Sequence, residues 1–164
     1  MSPAFALAAV LTLSFSGAGV AATSEEPALV HGAPGADTIQ VAGNPMEAAA
    51  LQFARAWAGG SSGAVAGVLT PRGVRLQLDE ASHTGLSSRQ ASAAIREFLR
   101  SFDEVEAALM RATLVADATD RGSAVIQWSA RMAGTSQRVD RILFLGLVRV
   151  EPDRWQVDEV RLVR

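Results

Sequence analysis

The chain has 164 residues, of which 49% are hydrophobic and 20% are charged, and its formal net charge at pH 7 is −2. This composition is typical of a single packed globular domain, and its interspersed charges form no basic stripe of the kind that binds nucleic acid. Because the sequence contains no cysteine, disulfides, thiol nucleophiles, iron–sulfur clusters and cysteine zinc sites are excluded.

Residues 1–22 are predicted to be a signal peptide. The apolar stretch at residues 4–15 is shorter than the roughly 20 residues that cross a bilayer, and Val20-Ala21-Ala22 offers a cleavage site. The alternative is a buried N-terminal helix, because the segment lacks the usual Lys or Arg. The signal predicts an exported protein, periplasmic or secreted, whose mature chain begins near Thr23. No later segment is apolar enough to be a membrane anchor.

Residues 23–44 are rich in Pro and Gly and are predicted to be a flexible linker. The folded domain is predicted at residues 45–164. Its first helix begins after Asn44, a capping residue, and ends at Gly59-Gly60. A shorter helix is predicted at about 62–69, and the alternation in GVRLQLDE (residues 73–80) then predicts a strand.

A third helix is predicted to begin at Ser87, which has capping-box spacing to Gln90. Its apolar stripe consists of Ala91, Ile95, Phe98, Leu99 and Phe102. Four segments rich in β-forming residues follow at about 105–118, 121–134, 137–151 and 154–163. Short polar turns separate them, so they are predicted to form an antiparallel meander. The predicted order of elements is ααβαββββ.

This order resembles that of the nuclear transport factor 2-like (cystatin-like) superfamily. The segments that carry the resemblance are EAAALQFARAWAGGSSGAVAGVLTPRGVRLQL, SSRQASAAIREFLRSF and RWQVDEVRLVR. The resemblance implies an α+β cone in which a curved, mainly antiparallel sheet wraps around helices. The opening helices and the third helix look like those of small exported bacterial members of unknown function.

The enzymes of this superfamily use catalytic residues that this chain either lacks or carries at other positions. Ketosteroid isomerase-like and scytalone dehydratase-like members rely on tyrosine, and the chain has none. Limonene epoxide hydrolase-like members use an Arg-x-Asp pair on the third strand of the sheet and an aspartate on the last strand. Here the corresponding third strand carries Trp128 and Ala130, whereas Arg138 and Asp140 follow one strand later and Asp158 lies on the last strand.

Polar residues gather between the first predicted strand and the third helix: Asp79, Glu80, His83, Thr84, Ser87 and Ser88. They would suit a metal site or a catalytic corner, or they form an ordinary strand–loop–helix junction. Alternation along a strand places Asp79 and Glu80 on opposite faces, and Ser87 is better used as a helix cap. We therefore predict a junction, with no metal and no cofactor.

A second group of charged residues lies on the last two predicted strands: Arg138, Asp140, Asp158 and Arg161. A buried Asp–Arg pair can orient water for general-base attack. The alternative is cross-strand ion pairing on a solvated sheet face, and we favour it.

Aromatic side chains form the third group of candidates. A cone of this type often encloses an apolar cavity, and the predicted pocket residues are Phe53, Trp57, Phe98, Phe102, Trp128 and Phe144. The alternative is that these side chains are simply core, as aromatic residues at helical spacing usually are.

These observations predict an exported, non-catalytic module that binds a small apolar ligand or a protein partner, through the cone cavity or the outer sheet face. The alternative is a cofactor-free hydrolase or isomerase that uses Asp140 and Asp158.

The strand RVDRILFLGLVRV predicts a homodimer. Leu143, Leu145 and Leu147 point to one face, and Ile142, Phe144, Val148 and Val150 point to the other. Apolar residues on both faces predict that the outer face is covered, by a second copy of the chain, by the linker or by curvature of the sheet. A Leu145→Glu substitution is the sequence-based test of this pairing.

Overall fold

The computed structural model describes residues 44–163. The predicted signal peptide and all but the last residue of the predicted linker lie outside this range. Within it the helices are α1 (Pro45–Ala58), α2 (Ser62–Val68) and α3 (Ser88–Leu99). The strands are β1 (Val74–Leu78), β2 (Ala81–Leu86), β3 (Phe102–Leu114), β4 (Arg121–Met132), β5 (Arg138–Glu151) and β6 (Arg154–Val163).

The strands form one sheet in the order β2-β1-β6-β5-β4-β3. Strands β3 to β6 pair as an antiparallel meander, β2 pairs antiparallel with β1, and β1 joins β6 in parallel. The predicted α+β architecture, with a mainly antiparallel sheet packed on helices, is confirmed.

The helix starts agree with the capping predictions. The Asn44 side chain accepts a hydrogen bond from the Met46 N–H at 3.1 Å. At α3 the Ser87 hydroxyl accepts from the Gln90 N–H at 3.3 Å, and the Gln90 side chain accepts from the Ser87 N–H at 3.0 Å. These caps pair backbone donors that have no partner within the helix, and they fix where α1 and α3 begin.

Two details of the prediction are wrong. The segment predicted as a loop before α3 contains strand β2, which forms a hairpin with β1. Asp79 and Glu80 form the turn of this hairpin rather than opposite faces of a strand, and Asp79 has φ +50°. Phe102, predicted at the end of the α3 stripe, is the first residue of β3.

The inner face of the sheet packs against α1 and forms the core. On β5 this face carries Leu143, Leu145 and Leu147, each at most 1% exposed. Ile142, Phe144 and Val148 lie on the opposite, outer face, where no described helix covers them. Leu145→Glu would therefore place a charge in the core, so it cannot test an outer-face contact; Ile142 or Phe144 must be used instead.

Candidate functional site

A half-open cavity of about 430 Å³ lies between α3 and the β1–β2 hairpin. Its apolar wall is formed by Leu76 and Leu78 of β1 together with Ala94 and Phe98 of α3. The remaining lining residues are Ala81, His83, Glu97 and Ser101. Apolar walls that carry a few polar groups are the usual composition of small-molecule sites.

The hairpin register brings His83 to this cavity. Leu76 pairs with His83, and Leu78 pairs with Ala81. Directly opposed residues of an antiparallel pair project from the same face. The inner face of the hairpin therefore presents the imidazole beside two leucines, and the intervening pair of Gln77 and Ser82 projects outward.

An ion pair ties the tip of the hairpin to the meander. Asp79, in the turn, accepts a hydrogen bond from the Arg141 guanidinium on β5. The two side chains are 41% and 25% exposed, so solvent screens the pair and its contribution to stability is about 1 kcal/mol or less. Its consequence is local: it holds the turn that follows Leu78 in the cavity wall.

The six predicted pocket aromatics do not line one cavity. Phe98 lines the cavity beside α3, whereas Phe144 lies on the outer sheet face and borders a different groove. Phe53, Trp57 and Trp128 are 0% exposed. Together with Phe102 and Phe98 they form a continuous aromatic cluster, with ring centroids 5.0 to 6.1 Å apart.

The predicted carboxylate pair is not assembled. Asp158 lies in a β-bulge of β6 beside Gly146, about six residues along β5 from Asp140, or roughly 20 Å. Asp158 is paired with Arg121 at 3.3 Å, and Arg138 is exposed. The Arg161 guanidinium lies over the Phe144 ring, 4.8 Å from its centroid. No general-base arrangement therefore results from these residues.

A polar groove of about 360 Å³ lies on the outer face of the sheet around the bulge. Asp158 and Glu159 are adjacent there and pair with Arg121 at 3.3 Å and with Arg75 at 3.7 Å. The groove floor requires glycine at position 146, because a Cβ there would lie 2.9 Å from both Asp158 Oδ1 and Glu159 Cβ. All four charges are thus matched within the groove.

The polar residues before α3 have separate roles and do not form one site. Asp79 pairs with Arg141, His83 lines the cavity, Thr84 borders the outer groove and Ser87 caps α3. Among residues 44–163, no group of three or more His, Asp or Glu side chains is arranged to hold a metal ion. None of the described helices has the length and apolar character needed to span a membrane.

Sequence reasoning named His83 as a member of the polar junction but did not assign it to a ligand pocket, because β2 is an edge strand that it did not predict. Five of its six residues are exposed, so the strand lacks the apolar alternation that marks a half-buried strand. The available signal was spacing. The eight residues between Leu78 and the Ser87 cap are enough for a two-residue turn and a six-residue return strand.

Searches with known protein families and with curated proteins give no match. Solved structures do match. A putative ketosteroid isomerase from Shewanella frigidimarina aligns with a TM-score of 0.56 at 14% identity, covering 75% of this chain and 98% of that chain. A ketosteroid isomerase-like protein from Erwinia carotovora atroseptica aligns with a TM-score of 0.56 at 12% identity, covering 71% and 91%.

A further match is a hypothetical protein of ketosteroid isomerase-like fold from Catenulispora acidiphila, solved in complex with trimethylamine. It aligns with a TM-score of 0.55 at 13% identity, covering 71% of this chain and 84% of that chain. Identities this low establish architecture rather than activity. The three helices and mixed six-stranded sheet of residues 44–163 have the nuclear transport factor 2-like, ketosteroid isomerase-like fold.

Proposed function

We propose that this protein is a non-catalytic module that binds a small apolar molecule in the cavity between α3 and the β1–β2 hairpin. The observation that carries the proposal is the cavity itself, about 430 Å³ with an apolar wall of Leu76, Leu78, Ala94 and Phe98. Its volume lies in the range of small-molecule sites. Asp140 and Asp158 lie far apart, which favours binding over the hydrolase or isomerase alternative.

The polar groups of the cavity support a site that orients its ligand. His83, Glu97 and Ser101 provide donors and acceptors beside the apolar wall. The Catenulispora acidiphila protein of the same fold was solved in complex with trimethylamine, a small amine. That neighbour supports a ligand-binding role for the fold, and the chemistry of the ligand here follows from this chain's own residues.

Filling the cavity is expected to weaken ligand binding strongly. Ala94→Phe adds a ring to the α3 wall and should weaken binding of the neutral fluorescent probe N-phenyl-1-naphthylamine at least about tenfold. The matched control is Ala64→Phe, at an exposed position of α2, which should bind the probe as the wild type does. Fluorescence titration measures both. Equal binding by the two variants, or no binding by the wild type, would refute the cavity as the ligand site.

The proposal includes export. The apolar N-terminal segment and the small residues at Val20-Ala21-Ala22 support a signal peptide. An exported, cysteine-free domain would meet its ligand in the periplasm or outside the cell.

We also propose that a second copy of the chain covers the outer face. The supporting observation is an apolar patch on this face. In this patch Ile142 of β5 pairs with Val163 of β6, and Phe144 of β5 pairs with Val125 of β4. Ile142 and Val163 are 39% and 41% exposed. Arg161, stacked on Phe144, covers part of the patch and reduces the apolar area left for an interface.

Ile142→Glu is expected to dissociate this homodimer, because it places a charge within the patch. Leu114→Glu is the control: Leu114 is 50% exposed but lies opposite Gly122, on the other face of the sheet. Sedimentation velocity should show a dimer for the wild type and for the control, and a monomer for Ile142→Glu. A wild type that remains monomeric at high micromolar concentration rules out the homodimer.

A further inference from the structure

Two buried indole N–H groups lack an acceptor. Trp57 on α1 and Trp128 on β4 are both 0% exposed, and neither Nε1 has a hydrogen-bond partner among the described residues. Burying an N–H donor without an acceptor is unfavourable, because the donor loses its hydrogen bonds to water. Most buried polar side-chain atoms in proteins are paired, so two unpaired neighbours require an explanation.

The two indoles lie together, and Phe98 contacts both of them as well as the cavity. Their centroids are 6.1 Å apart, with the rings at 87°. Phe98 contacts both, at centroid distances of 6.1 Å to Trp57 and 5.7 Å to Trp128. Phe98 also lines the cavity and is only partly buried. Side chains move between staggered rotamers, and a change of the Phe98 rotamer is the movement that would connect the cavity with the indoles.

A neutral acceptor suits these donors. An indole N–H only donates, whereas a carbonyl oxygen carries two lone pairs and can accept two hydrogen bonds. A carboxylate is disfavoured there, because burying a charge without a charged partner costs far more than burying a neutral group. The surrounding rings of Phe53, Phe98 and Phe102 favour an apolar body around the acceptor.

We propose that Phe98 turns to admit the ligand and that Trp57 and Trp128 donate their indole N–H groups to a neutral acceptor on it. The ligand class is an apolar molecule that carries one carbonyl or equivalent oxygen. This inference rests on the proposed function and names the chemistry of the same site.

The test compares two probes of similar shape, methyl benzoate, which has an acceptor, and sec-butylbenzene, which has none. Competition against N-phenyl-1-naphthylamine should show methyl benzoate binding roughly three- to tenfold more tightly to the wild type. Trp57→Phe and Trp128→Phe should each reduce this preference, and the double variant should lose it. Trp155→Phe, outside the cluster, should retain it. Because Trp→Phe also enlarges the site, the quantity compared among the variants is the ratio of the two affinities rather than either affinity alone.

A second test uses only the wild-type protein, so its result does not depend on whether the tryptophan variants fold. The indole N–H signals of Trp57 and Trp128 should move downfield in nuclear magnetic resonance spectra when methyl benzoate is added, but not with sec-butylbenzene. Equal affinity for the two probes, failure of both to displace the fluorescent probe, or a preference that survives in the double variant overturns the inference. The proposed function then still stands or falls on the Ala94→Phe comparison.

Discussion

Trp57→Ala is expected to lower the free energy of unfolding by about 3–5 kcal/mol. Trp57 is 0% exposed and contacts Phe53, Phe98 and Trp128. Removing the indole leaves a cavity among rings that belong to α1, α3 and β4, three elements that cannot all move inward to fill it. Urea unfolding followed by circular dichroism, with linear extrapolation, measures the loss.

Comparing the stability loss of Phe98→Ala with that of Trp57→Ala distinguishes a cavity-wall residue from a core residue. Phe98 belongs to the same aromatic cluster but is partly exposed and borders the cavity. Water can enter the space that its ring leaves, so the expected loss is smaller, about 1–2 kcal/mol. Equal losses for the two variants would mean that Phe98 is core, which would contradict its assignment as the cavity wall.

The sequence predicted the elements that carry strong local signals. The Asn44 cap and the capping box of Ser87 and Gln90 place α1 and α3 within a residue of their observed starts. The meander followed from short turns between apolar strands, and the alternation in β5 separated the two faces correctly. These features depend on neighbours in the chain, so they are visible without tertiary structure.

The site depends on contacts that no local pattern encodes. His83 reaches the cavity only because β2 folds back on β1, and this edge strand carries no apolar alternation. The aromatic residues were recognised as a set, but the sequence could not show that Phe98 lines the cavity while Phe144 lies on the opposite face. Similarly, the six-residue offset between Asp140 and Asp158 follows from the β5–β6 register.

Gly122→Ala is expected to destabilise the fold by about 1–3 kcal/mol, because it overpacks the junction between α1 and the sheet. Gly122 is buried on β4, opposite Leu147 of β5. A Cβ at this position would collide with the Met46 sulfur and would lie 3.3 Å from the Thr113 carbonyl oxygen. Met46 is flexible but 0% exposed, so its side chain cannot move aside without displacing other core atoms.

A double-mutant cycle tests this cause. Met46→Ala alone should cost about 2–5 kcal/mol through the cavity it leaves. In the double variant the new methyl group occupies part of that space, so the combined loss should be smaller than the sum by about 0.5–3 kcal/mol. Gly63→Ala, at a helical position with no atom within 4 Å of the added Cβ, should instead raise stability by up to about 1 kcal/mol. Strictly additive losses would show that Met46 does not limit the space at position 122. If contact with the Met46 side chain causes the strain in Gly122→Ala, removing that side chain must relieve the strain.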